Sequence, residues 1–271
     1  MRAAAEDAGI GISGFNGDAE LSLIDPGQKQ AYLDFLKRSV DAALQVGARS
    51  VTIHSNGLGD GGVVLNSYPE LSDTVKLCTM FDTLHACAEL AESSGIRMNL
   101  EPLNITTDHA GNFLTTTRMA AEMTRLIGSP MLKVLYDVYH MQLNEGSLCD
   151  NIRTYGDQFG HIHVADAPGR HEPGTGEIRY PRILQCLEEI GYQGLVGFEL
   201  IPAVSTAQAV KASGLLYDRP AAADTIERKE THGTLSDRHH RRRPHRPGPR
   251  GKHRQIRAPD GDQNGGGPLY E

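Results

Sequence analysis

The chain lacks the marks of a disulfide-stapled, secreted or membrane protein. Its four cysteines, Cys78, Cys87, Cys149 and Cys186, lie far apart and form no CxxC pair. That spacing argues against both a disulfide framework and a zinc ribbon, so reduced, buried thiols are expected. The opening stretch Met1-Arg2-Ala3-Ala4-Ala5-Glu6-Asp7 has no apolar signal core, and no uninterrupted apolar run approaches membrane-spanning length. A cytoplasmic location with no membrane partner is the expectation. Asn104-Ile105-Thr106 matches a glycosylation sequon, which reads as chance without a secretion signal. Nucleic acid suits the body of the chain no better. From Arg219 onward there are 12 Lys and Arg against 7 Asp and Glu, a net of +5, which leaves −12 of the total −7 on the first 218 residues. An acidic body offers no surface for phosphates.

What is present suits one sizeable core: 271 residues with 39% hydrophobic content. Up to about Leu216, helix-like and strand-like segments alternate, as in βαβ units. Asp25-Pro26 reads as the start of a helix carrying Tyr32, Leu36 and Val40, closed by Gly47. Further helices are predicted over 73–94 (stopped by Gly95), 116–127, 151–159 and 181–190 (stopped by Gly191), and after Ser205. Between them, residues 10–15, 50–54, 98–101, 132–137, 161–165 and 195–199 read as buried strands. Such repeats suit either a closed barrel or an open doubly wound sheet.

From Arg219 the composition changes. The run Arg238-His239-His240-Arg241-Arg242-Arg243-Pro244-His245-Arg246 has no apolar face, and Gly265-Gly266-Gly267-Pro268 follows. This predicts a disordered basic tail over 219–271 behind a barrel domain over 1–218. RNA binding, anionic-surface binding or metal capture by histidine are its functional readings. A solvated tail without a specific partner is the plain one, and the composition also looks like GC-rich sequence read out of frame.

Four successive strand candidates end in a metal-ligand type: Glu101, Asp137, His163 and Glu199. An ionised carboxylate at the mouth of an apolar strand is costly unless it is paired or coordinated. Each alone suits an ion pair or a core histidine. Four at the ends of parallel strands would share one rim, which in a barrel is where active sites lie. Three carboxylates and one imidazole with open positions suit Mg²⁺, Mn²⁺ or Co²⁺ better than zinc.

The stretches Glu101-Pro102-Leu103-Asn104, Asp137-Val138-Tyr139-His140-Met141 and Ala165-Asp166-Ala167-Pro168-Gly169-Arg170-His171-Glu172-Pro173-Gly174-Thr175-Gly176-Glu177 resemble the hydroxypyruvate isomerase family. That family belongs to the xylose-isomerase-like barrels, with ketose 3-epimerases as cousins, and the likeness covers roughly residues 1 to 217. It implies an α/β fold of the (β/α)8 TIM-barrel type. Family barrels begin about two strands earlier, so about six of eight strands are expected and the first two are missing. The resemblance further implies a divalent metal on Glu101, Asp137, His163 and Glu199, with Glu101 and Glu199 as the acid/base pair. The reaction it implies is isomerisation of a small hydroxy-carbonyl compound through an enediolate. Hydroxypyruvate isomerases often carry Gln at the His163 position and the epimerases His, which leaves the substrate open.

His140, Arg170 and Glu177 are the substrate-binding candidates. Arg170 has the planar charge that grips a carboxylate, or else pairs with Glu172 or Glu177. Gly174 and Gly176 would let backbone N–H groups approach the ligand. His54 reads as structural, and the glycines of 57–62 as a flexible loop with only a weak phosphate signal. A homo-oligomer is left open. Two rivals stand beside the isomerase: a zinc-dependent abasic-site endonuclease, from which the late Asp-x-His pair is missing, and an inactive remnant with open sheet edges. Several zinc ions per chain would favour the nuclease, and a Mn²⁺-dependent cooperative melt would exclude the remnant.

Overall fold

The computed structural model describes residues 1–214. The basic tail over 219–271 and the last residues of the expected 1–218 domain lie outside the described residues. Six strands pair in sequence order, all parallel: β1 (Gly14–Asn16), β2 (Ser50–Ile53), β3 (Arg97–Leu100), β4 (Leu132–Asp137), β5 (Phe159–Val164) and β6 (Leu195–Phe198). Among the described residues, β1 and β6 pair on one side only, so the sheet is a half-barrel. Among the described residues eight α-helices accompany it: α1 (Arg2–Asp7), α2 (Lys29–Val46), α3 (Asp73–Ser94), α4 (Thr117–Ile127), α5 (Val138–Asn144), α6 (Leu148–Tyr155), α7 (Tyr180–Glu189) and α8 (Thr206–Gly214). None of the described helices is long and apolar enough to cross a membrane.

Local chemistry sets the helix ends. The Ser72 hydroxyl accepts the Val75 N–H to open α3, and Gly95 closes it in the left-handed conformation at φ 73°. Thr116 and Gly128 do the same for α4, and Gly47 closes α2. Three expectations need correction. The α2 helix begins at Lys29, because Asp25 Oδ1 accepts the Gly27 N–H and residues 26–28 form a turn. The helix expected over 151–159 runs from Leu148 to Tyr155, and Phe159 instead starts β5, stacked on Tyr136 with ring centroids 4.6 Å apart. The α5 helix was not anticipated; Asp137 caps it by accepting the Tyr139 and His140 N–H groups. As for the thiols, Cys87 and Cys186 are free and buried as expected, whereas Cys78 is exposed.

Alternation along the strands separates two faces. Val51, Ile53, Met98, Leu100, Val134, Tyr136 and Ile162 are fully buried and belong to one core with Leu36, Met80, Leu84, Ala120, Ile152 and Ile183 from the helices. Among the intervening positions, which face the concave side, Thr52, Asn99 and His161 are polar, while Leu135 is apolar. Leu84 in α3 has no exposed surface. Leu84→Ala is expected to lower the unfolding free energy by about 2–5 kcal/mol, measured by urea denaturation; a loss under about 1 kcal/mol contradicts this packing.

Candidate metal centre and active site

The concave positions run out of the strands at their C-terminal ends, and there the sheet gathers its acids. In register, Thr52 pairs with Asn99, and Asp137 with His163, which in turn pairs with Gly197. One rung further lie His54, Glu101 and Glu199. Neighbouring strands are about 4.8 Å apart, so in a flat sheet the ends of β3 and β6 would be about 14 Å apart. Instead Glu101, Asp137, His140 and Glu199 bring one ligand atom each within 4.8 Å of one another. Curling of the sheet brings the two ends together. Gly197 makes room for it, since a Cβ there would lie 3.1 Å from His161 Nε2 and 3.3 Å from His163 Cδ2.

His163 faces the same point from β5. Its Nδ1 is 3.3 Å from Glu199 Oε2 and 3.8 Å from Glu101 Oε1. Three buried atoms converge here without any hydrogen-bond partner: Glu101 Oε1, Asp137 Oδ2 and His163 Nδ1. Buried polar atoms are nearly always satisfied, so a group of such atoms around one point fits a cation-binding role. The donor set, three carboxylates and an imidazole, is that of a hard divalent ion.

Asn104 decides what each histidine can offer. Its Oδ1 accepts the Thr107 and Asp108 N–H groups at 3.0 and 3.1 Å, which fixes the amide so that Nδ2 donates to His140 Nδ1 at 2.7 Å. An accepting ring nitrogen carries no proton, so the His140 proton sits on Nε2, 3.6 Å from Asp137 Oδ2. His140 therefore points a hydrogen-bond donor into the site, and His163 is the imidazole with a nitrogen free for a metal. Asp108, His109 and His140 form a second candidate cation set. Within it Asp108 Oδ2 already holds Asn104 and Tyr139, and His109 Nδ1 holds the Gly62 carbonyl. His109 Nε2 is buried and unpartnered, but His140 has no free nitrogen to offer, since Nδ1 accepts from Asn104 and Nε2 carries the proton, so that set fits less well.

Burial opposes every charge at this rim, and the neighbours decide the outcome. Asp137 is pushed up to about 6, chiefly by burial, with His163 pulling the other way and Glu199 adding to the rise. Burial also drives His140 down to about 3, which keeps it neutral. His163 rises to about 9 against burial, through the carboxylates of Glu199, Glu101 and Asp137. Glu199 falls to about 2 although burial alone would raise it, because His163 and the Arg170 guanidinium face it.

Of the remaining candidates, Arg170 reaches the cluster and Glu177 does not. Arg170 Nη2 bonds Glu199 Oε2 and lies 3.9 Å from Asp137 Oδ2, with its guanidinium 5.3 Å from the Tyr139 ring centroid. Its ion-pair partner is thus Glu199, not Glu172 or Glu177. Glu177 is exposed and accepts from Gln142 Nε2. The expectation for the loop glycines needs correction too. The Gly174 N–H is spent on Asp166 Oδ2, and a Cβ at Gly176 would lie 2.2 Å from the Ala167 carbonyl oxygen. Both serve the loop's own fold around the buried Asp166. Likewise Gly57 packs against the Glu20 carbonyl, where a Cβ would come within 2.1 Å, so tight packing accounts for it without a phosphate. A cavity of about 510 Å³ lies at the opposite end of the strands, lined by Arg97, Lys133 and Phe159 among others, and includes none of the rim residues. Sequence reasoning passed over Asn104 and Asp18. The signal for Asp18 was its place two residues past β1, matching the other strand ends.

The fold is of the barrel type, and in enzymes of that type the active site lies at the C-terminal ends of the strands, where this rim stands. Residues 1–217 match the family described as Xylose isomerase-like TIM barrel. A human protein with a provisional hydroxypyruvate isomerase name is 30% identical over 224 residues, 80% of this chain and 79% of the relative. Hydroxypyruvate isomerase of Escherichia coli (strain K12) is 37% identical over 133 residues, 49% of this chain and 51% of the relative. A 2-oxo-tetronate isomerase of Cupriavidus necator is 33% identical over 129 residues, 48% of this chain and 49% of the relative. The match thus spans about half the length of these two bacterial relatives. Among solved structures, a family 2 AP endonuclease from Brucella melitensis superposes with a TM-score of 0.69 at 25% identity, covering 77% of this chain and 80% of the other. A D-psicose 3-epimerase gives 0.67 at 21% identity, covering 80% and 79%, a likeness of fold alone. The chain belongs to the xylose isomerase-like TIM barrel family. Its curated relatives carry isomerase names, and the chain is an isomerase.

The charges predict how the metal-free chain responds to pH. Folded His163 holds its proton more tightly than the unfolded chain does, about 9 against 6.5. Its stabilising share is therefore complete below pH 6.5 and is lost as pH rises through about 9. His54, raised to about 10 by Asp18 and Glu101 against the effect of burial, extends the loss. The raised Asp137 has the same sign lower down, where stability falls as pH climbs from 3.8 to about 6. The EDTA-treated chain is expected to melt at a lower temperature at about pH 9.5 than at about pH 7, and His163→Asn to flatten that slope. An unchanged slope in the variant contradicts the assignment.

Proposed function

We propose that the chain is a divalent-metal-dependent isomerase of a small 2-oxo acid, of the hydroxypyruvate or 2-oxo-tetronate type, working through an enediolate. One observation carries this reading: three buried, unpartnered donor atoms converge beside Glu199 at the strand ends. Glu101, Asp137, His163 and Glu199 would hold the ion. When bound, such an ion would polarise the substrate carbonyl and acidify the neighbouring C–H bond.

The chain's own residues supply the proton movements. Glu101 and Glu199 enter from strands three apart and meet across the cluster, so either can reach a substrate seated between them. In hydroxypyruvate, one carboxylate takes a proton from the hydroxyl-bearing carbon and the electron pair shifts to the carbonyl oxygen, giving the enediolate. The other glutamate, entering as the carboxylic acid, returns a proton to the former carbonyl carbon, while the hydroxyl proton moves to its oxygen, so the two glutamates exchange protonation states. The product is tartronate semialdehyde. His140 Nε2–H is placed to donate to a substrate oxygen. Arg170, released from Glu199, offers its guanidinium to the substrate carboxylate. Return of the proton to the same carbon from its other face would be epimerisation, a reading supported by His163 standing where hydroxypyruvate isomerases often carry Gln.

The test is NMR of the purified chain in D₂O with Mn²⁺ and, in turn, hydroxypyruvate, 2-oxo-tetronate and a ketohexose. Deuterium is expected to enter the carbon next to the carbonyl of a 2-oxo acid, and Glu101→Gln or Glu199→Gln to slow that entry by about 10²- to 10⁴-fold. Exchange only with the ketohexose would favour the epimerase. No exchange with any of the three removes the isomerase reading.

A further inference from the structure

The rim holds a buried chain of side chains that the mechanism above leaves unused. His54, one residue past β2, has both ring nitrogens against carboxylates: Nδ1 is 2.9 Å from Asp18 Oδ1 and Nε2 is 3.2 Å from Glu101 Oε2. Asp18 is anchored in turn. Its Oδ2 accepts the His54 backbone N–H and the Tyr32 hydroxyl, the latter at 3.2 Å. The side chains of His54, Asp18 and Glu101 are each 5% exposed. The links therefore run from α2 through the ends of β1 and β2 to the end of β3. Nothing in the packing of the apolar core requires three such polar groups in a row, and each costs desolvation.

What they accomplish is visible at Glu101. One carboxylate oxygen, Oε2, is taken by His54, whereas the other, Oε1, is the unpartnered atom turned toward His163. A glutamate side chain has three rotatable torsions, and a carboxylate beside Asp137 and Glu199 is repelled by both. Holding Oε2 from behind fixes the rotamer and assigns the two oxygens different tasks. We propose that His54, steadied by Asp18 and Tyr32, is a positioning residue that holds Glu101 with Oε1 presented to the cation and the substrate carbon. The inference rests on the proposed isomerase reading, which makes Glu101 a metal ligand and a proton carrier.

Residues that orient a ligand from behind typically change metal affinity or turnover by about 10- to 100-fold when removed. His54→Leu should lower kcat by about that factor with KM little changed, and weaken Mn²⁺ binding, followed by electron paramagnetic resonance, by about tenfold or more. His54→Gln can still reach Oε2 with its amide, and it should recover most of both. Asp18→Asn should fall between. Should His54→Leu fail to fold, the glutamine and asparagine variants decide the matter through their own order. Wild-type kcat and Mn²⁺ affinity in His54→Leu overturn the proposal, as does a glutamine variant no better than leucine. The Mn²⁺ titration separates the two claims. A wild-type chain that binds Mn²⁺ but exchanges no substrate proton ends the isomerase reading, while a weakened affinity in His54→Leu still upholds the brace. A wild-type chain that binds no Mn²⁺ overturns both.

Discussion

Three carboxylates drawn within 4.8 Å of one another, two of them buried and the third, Glu199, open to solvent, are the constraint around which this fold is arranged. Glu101 and Asp137 are 4% and 0% exposed, and Glu199 adds its charge from the far side. Left alone, such a group would spread apart or take up protons. Asp137 does take the second course in part, since its pKa stands near 6. The positive groups around it, His163, Arg170 and His54, show what holds the rest together. They lend charge to the cluster from the β5 strand, the loop after it and the end of β2.

Only a stiff frame can impose such crowding. Parallel strands send every C-terminus to one rim, and alternation sends every second side chain to the concave face. The apolar half of each strand is locked to the helices by Leu36, Met80, Leu84, Ile152 and Ile183. Curvature then closes the distance between β3 and β6, helped by Gly197, which leaves space for His161 and His163 side by side. Packing, curvature and charge are thus three expressions of one requirement. The loop 165–177 follows the same logic: Asp166, fully buried, is satisfied by the N–H groups of Ala167, Gly174 and Ile178, and this folds the loop so that Arg170 reaches Glu199.

Much of this could be read from the chain alone. All six strands stood out as short apolar runs, although β1 begins only at Gly14 and neither it nor β6 is buried as expected, and Gly47 and Gly95 marked helix ends, because these signals are local. The four strand-end residues were legible for the same reason: Glu101, Asp137 and Glu199 are each the first ligand type after an apolar run, and His163 follows His161 in the same strand. What stayed hidden depends on contacts distant in sequence. Asn104 looked like a stray sequon, and its hold on His140 spans 36 residues. His54 looked structural, since its partners Asp18 and Glu101 lie 36 and 47 residues away. Phe159 was taken for the end of a helix because its stacking on Tyr136 cannot be seen from its neighbours. Glu177, prominent in the motif, turned outward to Gln142.

The central claim, that these side chains share a single cation, is open to direct inspection. Crystals grown with MnCl₂ and measured at the manganese absorption edge should show one anomalous peak bounded by Glu101 Oε1, Asp137 Oδ2, His163 Nδ1 and Glu199. A map with no peak at that point, or with its peak between Asp108, His109 and His140 instead, would contradict it.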